Sequence, residues 1–483
     1  MPKQIRTSLI TFILVVFVLN VKPQVLDSYQ KLESLSSSAL SNTASVLGLN
    51  VALPYSVDIY KINYFTTDEN GNNEIASGMV VIPTDSCAGY PMGLYAHGTV
   101  LKRDDVPSRN NGEGTIGKLF AGAGYVMVLP DYLGMGDNPG FHPYIHAETQ
   151  ATASIDAMRA ARELCSDVNT NLDGDVFITG YSQGGHAAMA THQYIQENAL
   201  QNEFHVRAAA PASGPYDMSG IQAGGIVSGA PYSNPGYVVY LIKGYQQAYG
   251  NLYNNSIAEL LRSPYNTTVP PLLDGTHTLT ELNNALPSRI DSFMKASFLN
   301  DIRSTYQSKN HPLWQDLIDN DVYNWVPDSA TRMYYCTGDE QVEYQNSIKA
   351  DSFMNAMGAQ DVAAINRGPS NHGGCVVPSL YSVITFFDSI STPCNAVDTT
   401  TTFAQFRSEP ELRVYPNPAR SVLNVEIAEP ATLTLYELSG REVMSRKISG
   451  TKKLPVHFLD PGVYLLKVES NGTTQLKRIL ISR

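Results

Sequence analysis

Cysteine is scarce in this chain: five in 483 residues, with no CxxC pair. That excludes a disulfide scaffold and leaves no thiol pair to hold zinc or exchange disulfides. Charge is sparse too, at 16% of residues, and the basic share is the smaller one, 33 Lys and Arg against 45 Asp and Glu. A net charge of −12 disfavours nucleic acid as a partner. Long apolar runs are also missing. The longest, residues 8–19, falls short of the roughly 20 residues that span a bilayer. With Lys3 and Arg6 ahead of it, it reads as the core of a signal peptide, residues 1–24. The mature chain is then exported, where disulfides are permitted. Cys87, Cys165, Cys336, Cys375 and Cys394 allow at most two bridges and leave one thiol over. The sequence does not choose the pairing. What is present is apolar content, 43%, enough for two or three globular domains.

Charge divides the chain. Residues 412–483 carry 11 Lys and Arg against 6 Asp and Glu, whereas the remainder carries 22 against 39. The tail is therefore expected to be a separate module. Between about 55 and 215, strand-like segments (75–82, 90–96, 124–130, 175–180, 204–211) alternate with helix-like ones (115–123, 149–165, 184–198). Such alternation predicts βαβ units and a mostly parallel sheet covered on both faces. Strand signals resume at 332–337 and 361–366, followed by a helix at 379–390. The intervening stretch, about 217–327, is rich in Tyr, Asn, Pro and Gly, with helical pieces at 255–262 and 289–299. An insertion there is expected to cap a pocket, because ligands bind beyond the C-terminal ends of parallel strands. Residues 25–395 are thus one domain, and 396–411, with their Thr run, a linker. The tail, 412–483, alternates in short segments at 421–427, 431–437, 462–468 and 475–481, separated by Pro, Asn and Gly turns. That spacing predicts a small β-sandwich.

Gly180-Tyr181-Ser182-Gln183-Gly184 is a GxSxG motif between an apolar strand and a helix. That setting suits a nucleophile elbow, a tight turn that lifts the serine hydroxyl above the sheet. A serine needs a base to take its proton, and the base needs an orienting acid. In the order Ser, acid, His, Asp339 follows the strand 332–337 in TGDEQV, with Glu340 or Glu343 as substitutes. His372 follows the strand 361–366 in RGPSNHGGC. Both are read as loop residues at strand ends. The other histidines fit less well. His97 precedes the elbow, and His186 and His192 lie on the helix after it. His142 and His146, in FHPYIH, lack the HExxH of a zinc peptidase. The oxyanion donors are expected to be the backbone N–H groups of Gln183 and of Thr99, in the loop after the third strand. Asp131, in the Gly-rich loop 131–140, is expected to be structural. No metal or organic cofactor is implied.

GYSQGG, DYLGMGDNPGFHPYIH, TGDEQV and NHGG, in that order over about residues 50–390, resemble the secretory lipase family of α/β-hydrolases. The resemblance implies an α/β-hydrolase fold with a helical cap. It also implies a secreted carboxylic-ester hydrolase, with Ser182 as nucleophile, Asp339 as acid and His372 as base. Its substrate would be an acylglycerol or a small ester. Tyr415-Pro416-Asn417-Pro418, Leu438-Ser439-Gly440-Arg441 and residues 462–468 are similar to the C-terminal sorting domain of type IX secretion substrates. That implies export across inner and outer membranes, engagement of the outer-membrane type IX machinery through residues 412–483, and release or surface attachment. Two alternatives share the motifs. Serine peptidases of the prolyl-oligopeptidase kind have the same order but usually a long β-propeller first, for which residues 25–55 leave no room. A non-catalytic surface binding protein would keep the scaffold without needing all three polar residues.

Overall fold

The computed structural model describes residues 24–391 and, within 413–482, all but 428–429, 438–441, 460–461 and 471–472. The expected signal peptide apart from Gln24, the expected linker 396–411, and the turns at Ser439-Gly440 and Asp460-Pro461 lie outside the described residues. The chain divides into two compact units, residues 1–397 and 398–483.

The first unit is built on nine strands: β1 (Leu26–Leu35), β2 (Val57–Thr67), β3 (Asn73–Pro83), β4 (Tyr90–Ala96), β5 (Val126–Pro130), β6 (Leu172–Tyr181), β7 (His205–Ala212), β8 (Ala330–Tyr335) and β9 (Val362–Asn366). Their order is β1-β2-β3-β5-β4-β6-β7-β8-β9. The pairs from β5 through β9 are parallel, while β1, β2 and β3 form an antiparallel edge. β4 and β5 are buried along their whole length, as inner strands with both faces covered must be. Helices Ala147–Asp167 and Gln183–Glu197 cover one face, packing Ile155, Met158, Leu164 and Ile195 onto Leu94, Val128 and Ile178. Helices Gly114–Gly122 and His372–Asp388 cover the other, packing Phe120, Leu380 and Phe387 onto Tyr95, Met127 and Phe177. Each such side chain contributes roughly 1.5–3 kcal/mol of transfer free energy. β1 and β2 were not among the expected strands. β1 (LDSYQKLESL) is almost wholly exposed, so no core-facing alternation marks it.

The segment between β7 and β8 folds as a cap with its own apolar core, in which Tyr240, Tyr245, Phe293 and Trp314 are fully buried. Its expected helical pieces shrink to the short turns Ile257–Leu260 and Ile290–Ser292, the second followed by a helix at Ala296–Ser304. The longest cap helix, Gly236–Tyr249, was not expected. Its sequence, GYVVYLIKGYQQAY, is dense in β-branched and aromatic residues of modest helix propensity. Burial of Val238, Val239, Ile242 and Tyr245 overrides that preference, and Gly250 ends the helix in the left-handed region at φ 69°.

The second unit has a three-stranded antiparallel sheet of β10 (Arg413–Tyr415), β11 (Val422–Glu426) and β14 (Lys452–Pro455). The other sheet holds β12 (Ala431–Glu437), β13 (Glu442–Ile448), β15 (Gly462–Ser470) and β16 (Thr473–Ile481). The four expected strands are all present. β13 (EVMSRKI) escaped notice because it is a charged edge strand, as edges exposed to water tend to be. Among the described residues, no helix is long and apolar enough to cross a membrane.

Candidate active site

β6 ends at Tyr181, and Ser182 turns the chain into the helix Gln183–Glu197 with φ 61° and ψ −121°. A non-glycine residue there is strained by roughly 1–3 kcal/mol, so its surroundings must hold it. They do so through the Ser182 N–H, which donates to Ala212 O at 3.0 Å. The Ser182 carbonyl also accepts from Gly185 and His186 at 2.9 and 3.2 Å. The flanking glycines are required by space. A Cβ on Gly184 would lie 1.9 Å from Ala96 O on β4, and one on Gly180 would lie 2.1 Å from Gly184 O. Gly184→Ala is therefore expected to force β4 from the elbow, destabilising the fold by about 3 kcal/mol. Urea unfolding of the purified variant checks this; an unchanged midpoint would refute it.

β6 and β8 flank β7, so the elbow and the turn after β8 share one end of the sheet. In that turn Asp339 is gripped from two sides. Its Oδ1 accepts from the N–H groups of Gln341 and Val342 at 3.0 and 2.9 Å, and its Oδ2 lies 2.7 Å from His372 Nδ1. An ionised carboxylate only accepts, so Nδ1 carries the proton. Nε2, which has no hydrogen-bond partner among the described residues, is left as the acceptor. Glu340 does not compete for the ring: its Oε2 accepts the backbone N–H of His372 at 3.0 Å. Glu343 meets Gln222 through its own N–H. His372 is not in a loop, as its Gly-rich surroundings suggested. It is the first residue of the helix His372–Asp388, capped by the Asn371 side chain on Gly374 N–H. A Cys336–Cys375 disulfide ties this helix to the end of β8, and Tyr181 Oη donates to His372 O at 2.6 Å. Cys165 is the buried thiol left over.

The Ser182 hydroxyl has no hydrogen-bond partner among the described residues and lines a cavity with Gln183, Tyr144, Tyr237, Gln341 and Val342. The backbone N–H groups of Gln183, at the start of its helix, and of Thr99, just past β4, are likewise unpaired among the described residues. The Thr99 hydroxyl is bonded to Tyr144 Oη at 2.8 Å. Asp131 is fully buried and accepts from the Ser77 hydroxyl (2.6 Å) and Ser108 N–H (3.0 Å). Burial raises its pKa and those donors oppose the rise, which fits a structural role.

Sequence reasoning missed what the cap contributes. Tyr232 Oη and Gln222 Nε2 donate to Gln341 O (2.8 and 3.1 Å), and Tyr237 Oη donates to Gln341 Oε1 (2.9 Å). The cap thus grips the turn that carries Asp339. Dense tyrosine was the only signal, and it did not say which rings would point inward. Among the described residues, no three His, Cys, Asp or Glu side chains stand close enough to share a metal ion.

Residues 116–375 match the family described as Secretory lipase. The chain belongs to that family. Residues 413–482 match the Secretion system C-terminal sorting domain, so this secretory lipase family member is a secreted or cell-surface protein with a type IX sorting tail. No curated protein matches it. A ligand-bound structure of the rice cell wall degrading esterase LipA from Xanthomonas oryzae is 30% identical. It covers 76% of this chain and 98% of its own, with a TM-score of 0.68. Candida antarctica lipase A in its closed state, 18% identical, covers 77% and 84% with a TM-score of 0.55, a likeness of fold alone. The protein is a hydrolase of the lipase and esterase kind with an α/β-hydrolase fold.

Proposed function

We propose that this protein hydrolyses carboxylic esters of apolar acids through an acyl-enzyme on Ser182. The 2.7 Å bond from His372 Nδ1 to Asp339, at the same sheet end as the strained serine, carries the proposal. His372 Nε2 takes the Ser182 proton as Oγ attacks the acyl carbon. The carbonyl oxygen becomes an oxyanion and draws on the Gln183 and Thr99 N–H groups. Collapse expels the alkoxide, which leaves as the alcohol with the proton from Nε2. Water, deprotonated by the same nitrogen, then releases the acid and restores Ser182. Labelling with a fluorophosphonate tests this. A single adduct on Ser182, with loss of esterase activity, is expected; activity persisting without an adduct would overturn it.

The acyl group has an apolar place to go. The Ser182 cavity shares Met218, Gln222, Val238 and Leu241 with a second, apolar cavity inside the cap, walled by residues such as Phe298, Leu299 and Trp314. We expect kcat/KM on p-nitrophenyl esters to rise from acetate towards medium-length chains. Leu241→Trp, at the junction, is expected to lower the octanoate-to-acetate ratio of kcat/KM by about tenfold. An unchanged ratio would place the acyl chain elsewhere.

A further inference from the structure

His142 lies in the loop after the Gly-rich segment 131–140 and is 3% exposed. Its ring is stacked on Tyr132, with centroids 5.5 Å apart and planes 13° apart. The loop can come this close only because residue 134 is glycine: a Cβ there would sit 2.3 Å from His142 N. His142 Nδ1 is 2.8 Å from Leu133 O, and Nε2 is 2.7 Å from Gln183 Nε2. A carbonyl only accepts, so Nδ1 carries the proton. Burial pushes the imidazole pKa down to about 3, with the Leu133 contact opposing, so the ring stays neutral at ordinary pH. Nε2 is then a pure acceptor, and the Gln183 amide nitrogen donates to it. The amide cannot flip, because its oxygen would face a lone pair. The Gln183 Oε1 atom itself is buried without a partner. Gln183 follows the nucleophile directly, and its backbone N–H is one of the two oxyanion donors proposed above.

We propose that His142 is a positioning residue for ester hydrolysis: by holding the Gln183 side chain in one orientation, it fixes the Gln183 N–H where the oxyanion forms. This rests on the acyl-enzyme proposal. The same loop serves the other donor, since Tyr144, two residues on, holds the Thr99 hydroxyl. The interaction matters for the transition state rather than for ground-state binding, because the charge it serves develops only during attack.

The test uses the full chain, with kcat and KM on p-nitrophenyl butyrate. His142→Phe keeps a ring to stack on Tyr132 but offers Gln183 no acceptor. It is expected to lower kcat roughly 10- to 100-fold with KM within about threefold. His142→Gln, whose amide oxygen can accept from Gln183, is expected to recover most of that loss. His142→Asn, too short to reach, is not. In a Gln183→Ala background, His142→Phe is expected to cost nothing more, because its effect passes through Gln183. Retention of kcat within twofold in His142→Phe would overturn the proposal. So would an equal loss in the presence and absence of the Gln183 side chain. If His142→Phe does not fold, the Gln and Asn variants decide: equal kcat in the two would overturn it. Failure of the underlying acyl-enzyme is read separately, as full turnover in Ser182→Ala with His142 intact.

Discussion

Replacing Ser182 with alanine is expected to lower kcat on any ester by about 10⁶-fold, because the proposed nucleophile and its proton are removed together. The fold should not suffer. Alanine meets the same strain at φ 61° that serine does, and the Ser182 hydroxyl has no hydrogen-bond partner to lose among the described residues. Ser182→Gly makes the stronger prediction. Glycine accepts positive φ with little cost, so part of the roughly 1–3 kcal/mol of elbow strain is relieved. The glycine variant should thus be as inactive as the alanine variant and yet melt a few degrees higher than the parent. Thermal unfolding beside a p-nitrophenyl ester assay measures both. A glycine variant that melts lower would mean that the elbow is not a strained turn. An alanine variant that still turns over would mean that another group attacks the ester.

What the sequence made legible here was local and periodic. β4 was readable to the residue, because a strand buried on both faces is an unbroken apolar run between turn residues. The elbow was readable because only glycine fits at 180 and 184, and the strand before and helix after each carry their own period. Chain order alone singles out Asp339 and His372, which the structure places 2.7 Å apart, although the sequence reads His372 as a loop residue. Its two following glycines masked a helix that starts at the histidine itself, a start fixed by the Asn371 cap and the Glu340 carboxylate on the His372 N–H. The cap resisted reading for a different reason. Its helix Gly236–Tyr249 is held by tertiary burial against its own propensity, and its tyrosines act through partners about a hundred residues away, as Tyr232 and Tyr237 do on Gln341. His142 was set aside because it lacked a zinc-peptidase neighbour. Its meaning lies in a contact with Gln183 across 41 residues, which no spacing announces.

Asp339→Asn is expected to lower kcat by about 10⁴-fold while leaving stability nearly unchanged, and the hydrogen bonds around the side chain say why. Asp339 Oδ1 accepts from two backbone N–H groups, Gln341 and Val342. An asparagine in this place must turn its carbonyl oxygen to those two donors, since its NH₂ would meet them donor against donor. The NH₂ is then left 2.7 Å from His372 Nδ1, where the carboxylate oxygen stood. Nδ1 is forced to accept, the ring proton moves to Nε2, and the nitrogen proposed to take the Ser182 proton already holds one. Glu340 cannot step in, because it is committed to the His372 backbone N–H at the start of the helix. Asp339→Ala removes the misplaced donor along with the acid, so the imidazole is free to choose its tautomer. It also leaves the Gln341 and Val342 N–H groups without their acceptor, at a cost of roughly 1–3 kcal/mol. The alanine variant should therefore be less stable than the asparagine variant but at least as active. Steady-state kinetics with urea unfolding on both variants separates the two effects. An asparagine variant within tenfold of the parent would show that the imidazole is oriented by some other group, and Asp339 would lose its place in the chemistry.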